Sequence, residues 1–242
     1  SGSMYGEKIG IVNNTIQECI PEMRAAADNN PNAQLLIRAL QFSSGASWIT
    51  SNPVPIEDYG WEDMDANGLT ELGKAFDLLA AQLGIPPMPE RALPPVIVLL
   101  SDGFPTDEYK KSLEKLKKLP WFRKAVKIAI SIGKDADDEV LIEFTGNSEL
   151  VLQANNATAL ARMIKWASTT ASMVSAPSSK PVNSTPASAP IAPAASVAPA
   201  SAAASQPVNA NTPAAPVNNG APLVLDMSNI PDPDDFDDGA VW

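Results

Sequence analysis

The sequence contains no histidine and only one cysteine. Without histidine, a Ser-His-Asp triad, a histidine-ligated zinc site and a histidine general base are all excluded. A single cysteine cannot form an internal disulfide, so nothing in the composition requires an oxidising compartment. Cys19 falls on the apolar side of a predicted helix, and this placement is typical of a buried core thiol.

Positive charge is also scarce. The chain has 17 Lys and Arg residues against 28 Asp and Glu residues, which gives a net charge of −11. An acidic chain without a basic stripe is a poor ligand for nucleic acid or for anionic lipid. No apolar run reaches the roughly 18 residues that a membrane span requires. We therefore expect a cytoplasmic protein that binds neither nucleic acid nor membrane.

The composition changes sharply near residue 174, so the chain divides into three parts. Residues 1–173 can form a folded domain, whereas residues 174–221 are rich in Ala, Pro, Ser and Asn and predict a disordered linker. Residues 222–242 are acidic and include two aromatic side chains, Phe236 and Trp242. Aromatic anchors on a long tether favour a docking peptide for a second partner, while an acidic solubilising tail is the simpler alternative.

Short apolar runs alternate with amphipathic helical periods through residues 1–173. The run Val96–Ser101 is almost entirely β-branched or Leu, which is typical of a parallel strand buried on both faces. The alternation predicts an α/β fold: a doubly wound, mostly parallel sheet with helices on both faces. The predicted helices cover 7–27, 69–83, 107–119, 137–144 and 157–173, and the predicted strands cover 34–42, 47–51, 96–101, 125–132 and 150–153.

Hydroxyl and carboxylate side chains stand at three loop positions of this pattern. The chain opens with Ser1-Gly2-Ser3-Met4 ahead of the first helix, and Thr70 lies at the head of the second. Asp102 directly follows the buried strand. Ligand sites of doubly wound sheets lie beyond the carboxyl ends of the strands, so we expect these groups at one edge of the sheet.

These residues resemble the metal-ion-dependent adhesion site of the von Willebrand factor A (vWA) family. The family pattern is Asp-x-Ser-x-Ser, then a Thr in a second loop and an Asp after a later strand. Ser1 and Ser3 match the two serines, Thr70 the threonine and Asp102 the later aspartate. The resemblance covers about residues 1–172. It implies a vWA, Rossmann-like fold that binds Mg²⁺ (or Mn²⁺ or Ca²⁺), with an Asp or Glu of a protein partner completing the metal shell.

One part of the family pattern is missing. The first aspartate and the first strand would lie ahead of Ser1, so we expect a chain truncated inside the metal motif, with weak metal affinity. The same residues also allow simpler roles. Ser1 and Ser3 could be helix caps, Asp102 could be a turn residue before Gly103, and Ser1–Ser3 could be cloning residues ahead of Met4.

The resemblance is to bacterial cytoplasmic vWA proteins of the tellurium-resistance and stress-response type, which work beside kinases, phosphatases or AAA+ ATPases. It predicts a non-enzymatic binding module with a partner of that kind. One alternative is a metal-dependent hydrolase that uses Asp102 as base or ligand, although the sequence has no phosphate loop and no dinucleotide glycine motif. Another is a scaffold that acts only through residues 222–242.

Overall fold

The computed structural model describes residues 1–28, 34–90, 92–134 and 136–174. The predicted acidic peptide, with Phe236 and Trp242, and all but the first residue of the predicted linker lie outside these ranges. In chain order the elements are α1 (Glu7–Asp28), β1 (Leu36–Ile37), β2 (Leu40–Ser43), β3 (Gly45–Trp48), β4 (Val54–Pro55), α2 (Leu72–Gln82), β5 (Val96–Ser101), α3 (Tyr109–Lys118), α4 (Pro120–Lys124), β6 (Val126–Ile132), α5 (Asp138–Thr145), β7 (Val151–Ala154) and α6 (Ala157–Val174).

Three parallel strands form the central sheet, in the order β5-β6-β7. Val96 pairs with Val126 at one end of β5, and Ser101 pairs with Ser131 at the other. Ala129 of β6 pairs with Val151 of β7. The middle strand β6 is the most deeply buried, as expected of a parallel strand covered on both faces. The predicted parallel sheet is therefore confirmed.

Helices cover both faces of this sheet. Ile128, Ile130 and Ile132 of β6 belong to one core cluster, which they share with α1 and α6. Ala129, on the opposite face of β6, belongs to a second cluster with α2, α3 and α5. Because successive side chains of a strand point to opposite faces, one apolar strand anchors both helical layers. The predicted doubly wound α/β fold is confirmed.

The other strands form two small antiparallel pairs. β2 and β3 are a hairpin in which Phe42 pairs with Ala46, and β1 pairs with β4. The sequence predicted a continuous strand over 34–42 and an edge strand over 47–51. The turn lies between Ser43 and Gly45, so β3 begins two residues before the predicted edge strand; Gly45 adopts a positive φ of 113°, which a residue without a side chain tolerates best.

The helices differ most from the sequence prediction at two places. α2 begins at Leu72 rather than at Leu69, because the backbone amide of Thr70 donates to Thr106 Oγ1 (3.1 Å) instead of entering the helix. The short helix α4 was not predicted; Pro120 occupies its first position, where the missing N–H costs nothing. None of the helices in the described ranges is both long and apolar enough to cross a membrane.

Candidate metal centre

Ser1 and Ser3 lie in a tight turn that leads into α1. This 3₁₀ turn, Gly2–Met4, is closed by the amide of Met4 donating to the Ser1 carbonyl (3.2 Å) and is anchored by the buried Met4 side chain. Ser1 stands at the cap position of the turn, but its side chain makes no capping hydrogen bond. The geometry therefore does not support helix capping as the role of the Ser1 hydroxyl.

Both serine hydroxyls converge on Asp102, which directly follows β5. Asp102 Oδ1 accepts hydrogen bonds from Ser1 Oγ (3.1 Å) and Ser3 Oγ (2.6 Å), and the two hydroxyl oxygens are 2.9 Å apart. The Asp102 side chain is completely buried. Its bonds reach residues about a hundred positions away along the chain, so its role is more than that of a local turn residue. We call these three residues the Ser1–Ser3–Asp102 cluster.

A lysine that the sequence analysis missed completes the electrostatics of the cluster. Lys8 Nζ lies 3.2 Å from Asp102 Oδ2, and its side chain is only 18% exposed. A Cβ placed on Gly133, just after β6, would lie 3.4 Å from Lys8 Nζ, so the ammonium group lies between the carboxyl ends of β5 and β6. Lys8 also sits in the first turn of α1, where the helix dipole disfavours a cation. A lysine in this unfavourable position was the sequence feature that could have indicated an acidic partner for Lys8.

The amino group of Ser1 is a second nitrogen close to the cluster. It donates to the carbonyl oxygen of Phe42 on β2 (3.4 Å). Burial lowers the pKa of this amino group, while the nearby charge of Asp102 opposes that shift. The Ser1 amino group is therefore a weaker base than an amino group in open solvent, and Ser1 bridges the β2 strand and the carboxylate.

Thr70, the fourth predicted ligand, lies on a loop that abuts the cluster. The amide of Gly2 donates to the Gly68 carbonyl (3.0 Å), which holds the Thr70 loop against the Ser1–Ser3 turn. Thr70 is buried. Across the described ranges, however, its hydroxyl makes no hydrogen bond to the cluster. The structure thus brings three of the predicted ligands together and places the fourth on the adjoining loop.

The position of the Thr70 loop is fixed by a helix cap from a distant part of the chain. Asp107 accepts hydrogen bonds from the amides of Gly73 (2.9 Å) and Lys74 (3.1 Å), the first residues of α2 after Leu72. The Thr70 carbonyl in turn accepts the amide of Thr106 (2.9 Å). The loops that follow β5 and precede α2 are therefore bound to each other. Sequence patterns did not reveal this cap, because the cap and the helix lie about 34 residues apart.

The donor set of the cluster suits a hard divalent cation. Its hydroxyl and carboxylate oxygens are the ligands that Mg²⁺, Mn²⁺ and Ca²⁺ prefer, and it includes no thiol or imidazole. Among the described residues, no three His, Cys, Asp or Glu side chains are grouped to hold a metal. An ion here would depend on hydroxyls, water and the single carboxylate of Asp102, and it would compete with Lys8.

No protein-family model and no curated protein matches the sequence. Solved structures do match the fold. The pilus adhesin SpaC of Lactobacillus rhamnosus GG aligns with a TM-score of 0.56 at 14% identity, over 69% of this chain and 29% of that one. The von Willebrand factor type A protein of Catenulispora acidiphila aligns with a TM-score of 0.51 at 13% identity, over 71% and 40%. The chain therefore has a vWA-like, Rossmann-like α/β fold.

Another matching structure is that of proximal thread matrix protein 1 from the mussel byssus. Its TM-score is 0.51 at 19% identity, over 69% of this chain and 44% of that one. Another structure of the mussel protein has a zinc-occupied metal-ion-dependent adhesion site, with a TM-score of 0.50. The chain spans less than half the length of each of these proteins. At such low identity the likeness shows the fold alone.

Proposed function

We propose that this vWA domain is a protein–protein interaction module whose binding depends on a divalent metal ion. Ser1, Ser3 and Asp102 would hold the ion, with Thr70 contributing from the adjoining loop. The observation that carries the proposal is the convergence of two hydroxyls on one fully buried carboxylate, within 2.6–3.1 Å. The cluster follows the carboxyl end of β5, the edge at which doubly wound sheets bind their ligands.

The chemistry of these ligands explains why such an ion would recruit a partner. One carboxylate neutralises only half of a divalent charge, and hydroxyl ligands neutralise none. Mg²⁺ also keeps several water molecules in its octahedral shell, and a partner can replace one of them. An exposed Asp or Glu of a protein partner supplies both the missing negative charge and an oxygen ligand. When bound, the metal thus provides the positive charge that the partner carboxylate recognises.

Lys8 provides the counter-charge of Asp102 in the metal-free site. Its ammonium neutralises Asp102 when no metal is bound, so a buried carboxylate is never left without a counter-charge. A metal ion at the cluster has to weaken or replace that ion pair. We therefore expect moderate or weak affinity for metal, and we expect carboxylate partners to raise it.

The remaining predictions concern biology beyond the metal centre. We propose that the module acts by binding and not by catalysis, since Asp102 is engaged by two hydroxyls and an ammonium instead of being held as a free base. A cytoplasmic stress-response setting of the tellurium-resistance type, with a kinase, phosphatase or AAA+ ATPase as partner, stays a prediction from the sequence. So does docking of a second partner through Phe236 and Trp242.

Titration of the whole chain with Mg²⁺ and Mn²⁺ tests the metal site. We expect saturable binding by calorimetry and a rise in Tm that EDTA reverses. Ser3→Ala removes the hydroxyl that makes the shortest bond to Asp102, so it should weaken binding by about tenfold or more, given that metal-site ligands and their supports are typically worth 10–100-fold. The matched control is Ser148→Ala, an exposed serine in a separate 3₁₀ turn, which should bind as the wild type does.

The partner chemistry is tested with a pair of short peptides, one carrying a single Glu and the other a Gln at the same position. Manganese-bound protein should bind the Glu peptide, with a change in the Mn²⁺ electron paramagnetic resonance spectrum, and should ignore the Gln peptide. Equal binding of the two peptides, or Glu-peptide binding that persists in EDTA, would show that the proposed metal-dependent recognition is wrong.

A further inference from the structure

A long apolar cleft separates β2 from β5. Its volume is about 1140 Å³, which exceeds the roughly 300–1,000 Å³ of ordinary small-ligand pockets. Among the described residues, β2 pairs only with β3 and β5 pairs only with β6, so each strand presents one edge to the cleft without a strand partner. Two facing strand edges can each supply backbone donors and acceptors to an extended segment lying between them.

The walls of the cleft come from both helical layers. Val12 and Ile16 of α1 line one side, and Phe76 and Leu79 of α2 line the other. The strand residues that border it, such as Leu40, Phe42, Ile97, Val98 and Leu100, are only partly buried although they pack against the two core clusters. An occupant with apolar side chains on both of its faces would join these two clusters across the sheet.

One end of the cleft opens on the candidate metal centre. Ser1 and Ser101 both line it, and Asp102 follows immediately. The amino group of Ser1 contacts the Phe42 carbonyl on the β2 side, so the cluster lies at the end where β5 terminates. The fitting occupant is therefore a short aliphatic strand, parallel to β5, followed at this end by a polar or acidic residue.

We propose that residues 223–226 of this same chain, Leu-Val-Leu-Asp, insert into the cleft as a strand between β2 and β5. Within residues 175–242, none of which the structure describes, this is the only run of three consecutive Leu, Ile, Val or Phe residues. Pro222 precedes the run, and proline is tolerated at the first position of a strand. Asp226 would then arrive at the cluster as a second carboxylate. Only this last step rests on the proposed metal-dependent function.

The length of the connecting chain permits this insertion. The stretch 175–222 separates the last described residue from the aliphatic run and contains 48 residues. For comparison, a random coil of 48 residues has a root-mean-square span of roughly 35–40 Å, and proline-rich sequences are more extended. That span exceeds the width of a few strands spaced about 4.8 Å apart. The segment can therefore reach the cleft of its own chain.

Hydrogen–deuterium exchange of the full chain tests the insertion. The amides of Leu40–Ser43 and Val96–Ser101 that face the cleft should be protected in the wild type. Val224→Asp places a charge in an apolar slot, so it should speed exchange of those amides by about tenfold or more, as opening of a local unit does. The matched control is Val208→Asp, the same change within the predicted linker, which should leave exchange at the wild-type rate.

If Val224→Asp destabilises the whole domain, a synthetic peptide of residues 221–229 shows whether loss of the inserted strand is the cause. Added to that variant, the peptide should restore both protection and Tm, while the same peptide carrying the Val224→Asp change should not. The proposal is overturned if Val224→Asp exchanges like the wild type, or if light scattering shows that protection appears only in dimers. In the latter case the occupant is the segment of a second copy.

Measurements of metal binding distinguish insertion of the strand from metal-dependent partner binding. Asp226→Asn should keep the cleft protected but weaken Mg²⁺ or Mn²⁺ binding. If Val224→Asp abolishes protection while no variant or wild-type chain binds metal, the inserted strand stands and the metal-dependent function fails. If metal binds through Ser3 and Asp102 but Val224→Asp changes nothing, the function stands and the inserted strand fails.

Discussion

Replacing Lys8 by Met should destabilise the metal-free protein and tighten its binding of metal. Two unit charges 3.2 Å apart attract by about 5 kcal/mol at an effective dielectric constant near 20, before desolvation is subtracted. Breaking a buried pair from one side typically costs about 3–5 kcal/mol, because the other charge is left uncompensated. Lys8 keeps 18% of its exposure, so we discount this to about 2–3 kcal/mol.

The same substitution removes a cation that competes with metal for Asp102. We expect at least tenfold tighter Mn²⁺ binding, equivalent to about 1.4 kcal/mol. Urea unfolding with and without Mn²⁺, together with calorimetry, measures both effects. The control is Lys74→Met, which breaks an ion pair with Glu71 at a shorter 2.7 Å but with a lysine that is 58% exposed. Surface pairs of that kind contribute about 0–1 kcal/mol.

Two outcomes would refute this reasoning. If Lys8→Met costs no more stability than Lys74→Met, then burial does not strengthen the pair with Asp102. If Lys8→Met is destabilised as expected but binds Mn²⁺ no better than the wild type, then metal and ammonium do not share the carboxylate. The second result would place any metal elsewhere on the chain.

Three further predictions test the packing of the folded domain. Burial raises the pKa of Cys19 to about 11, so only about one thiol in a thousand is ionised at pH 8. Iodoacetamide should therefore label Cys19 appreciably only when the pH rises toward 11 or the protein unfolds. Rapid labelling at pH 8 would contradict the packing of this thiol. A Cβ at Gly73 would lie 2.9 Å from Asp107 Oδ2, so Gly73→Ala should lower the unfolding free energy by about 1–3 kcal/mol, opposite in sign to the usual helical gain. Phe144 is fully buried and its ring stacks on that of Phe76 with a centroid distance of 5.6 Å, so Phe144→Ala should lower the free energy of unfolding by about 3–5 kcal/mol in a denaturant titration. A decrease below about 1 kcal/mol would mean that the core around the two rings is poorly packed.

The parts of the fold that the sequence predicted are those set by local patterns. The aliphatic run Val96–Ser101 indicated a strand covered on both faces, and β5 lies in the sheet as expected. Periodicity gave α1 and α6 within a residue or two of their observed ends. The missed start of α2 has a non-local cause, because the amide of Thr70 bonds to a threonine 36 residues away.

The candidate site shows the same division between local and distant information. Ser1, Ser3 and Asp102 were predicted from their resemblance to the vWA metal motif, which could be recognised because each stands at a loop next to a predicted element. Lys8 was missed because its partner lies 94 residues away in the chain, and only the fold places the start of α1 beside the residues that follow β5 and β6. Its charge in the first turn of a helix was a usable clue, since the helix dipole opposes a cation there unless an acid compensates it.

The cleft and the metal centre are adjacent, so their occupants should be thermodynamically linked. If the aliphatic segment delivers Asp226 to the Ser1–Ser3–Asp102 cluster, strand insertion raises metal affinity by some factor. By reciprocity, metal must stabilise the inserted strand by the same factor. Tenfold weaker Mn²⁺ binding in Val224→Asp would thus require saturating Mn²⁺ to slow exchange of the cleft amides in the wild type by about tenfold, or 1.4 kcal/mol. Asp226→Asn should remove this coupling while leaving the strand in place, because it keeps the aliphatic side chains and removes only the shared charge.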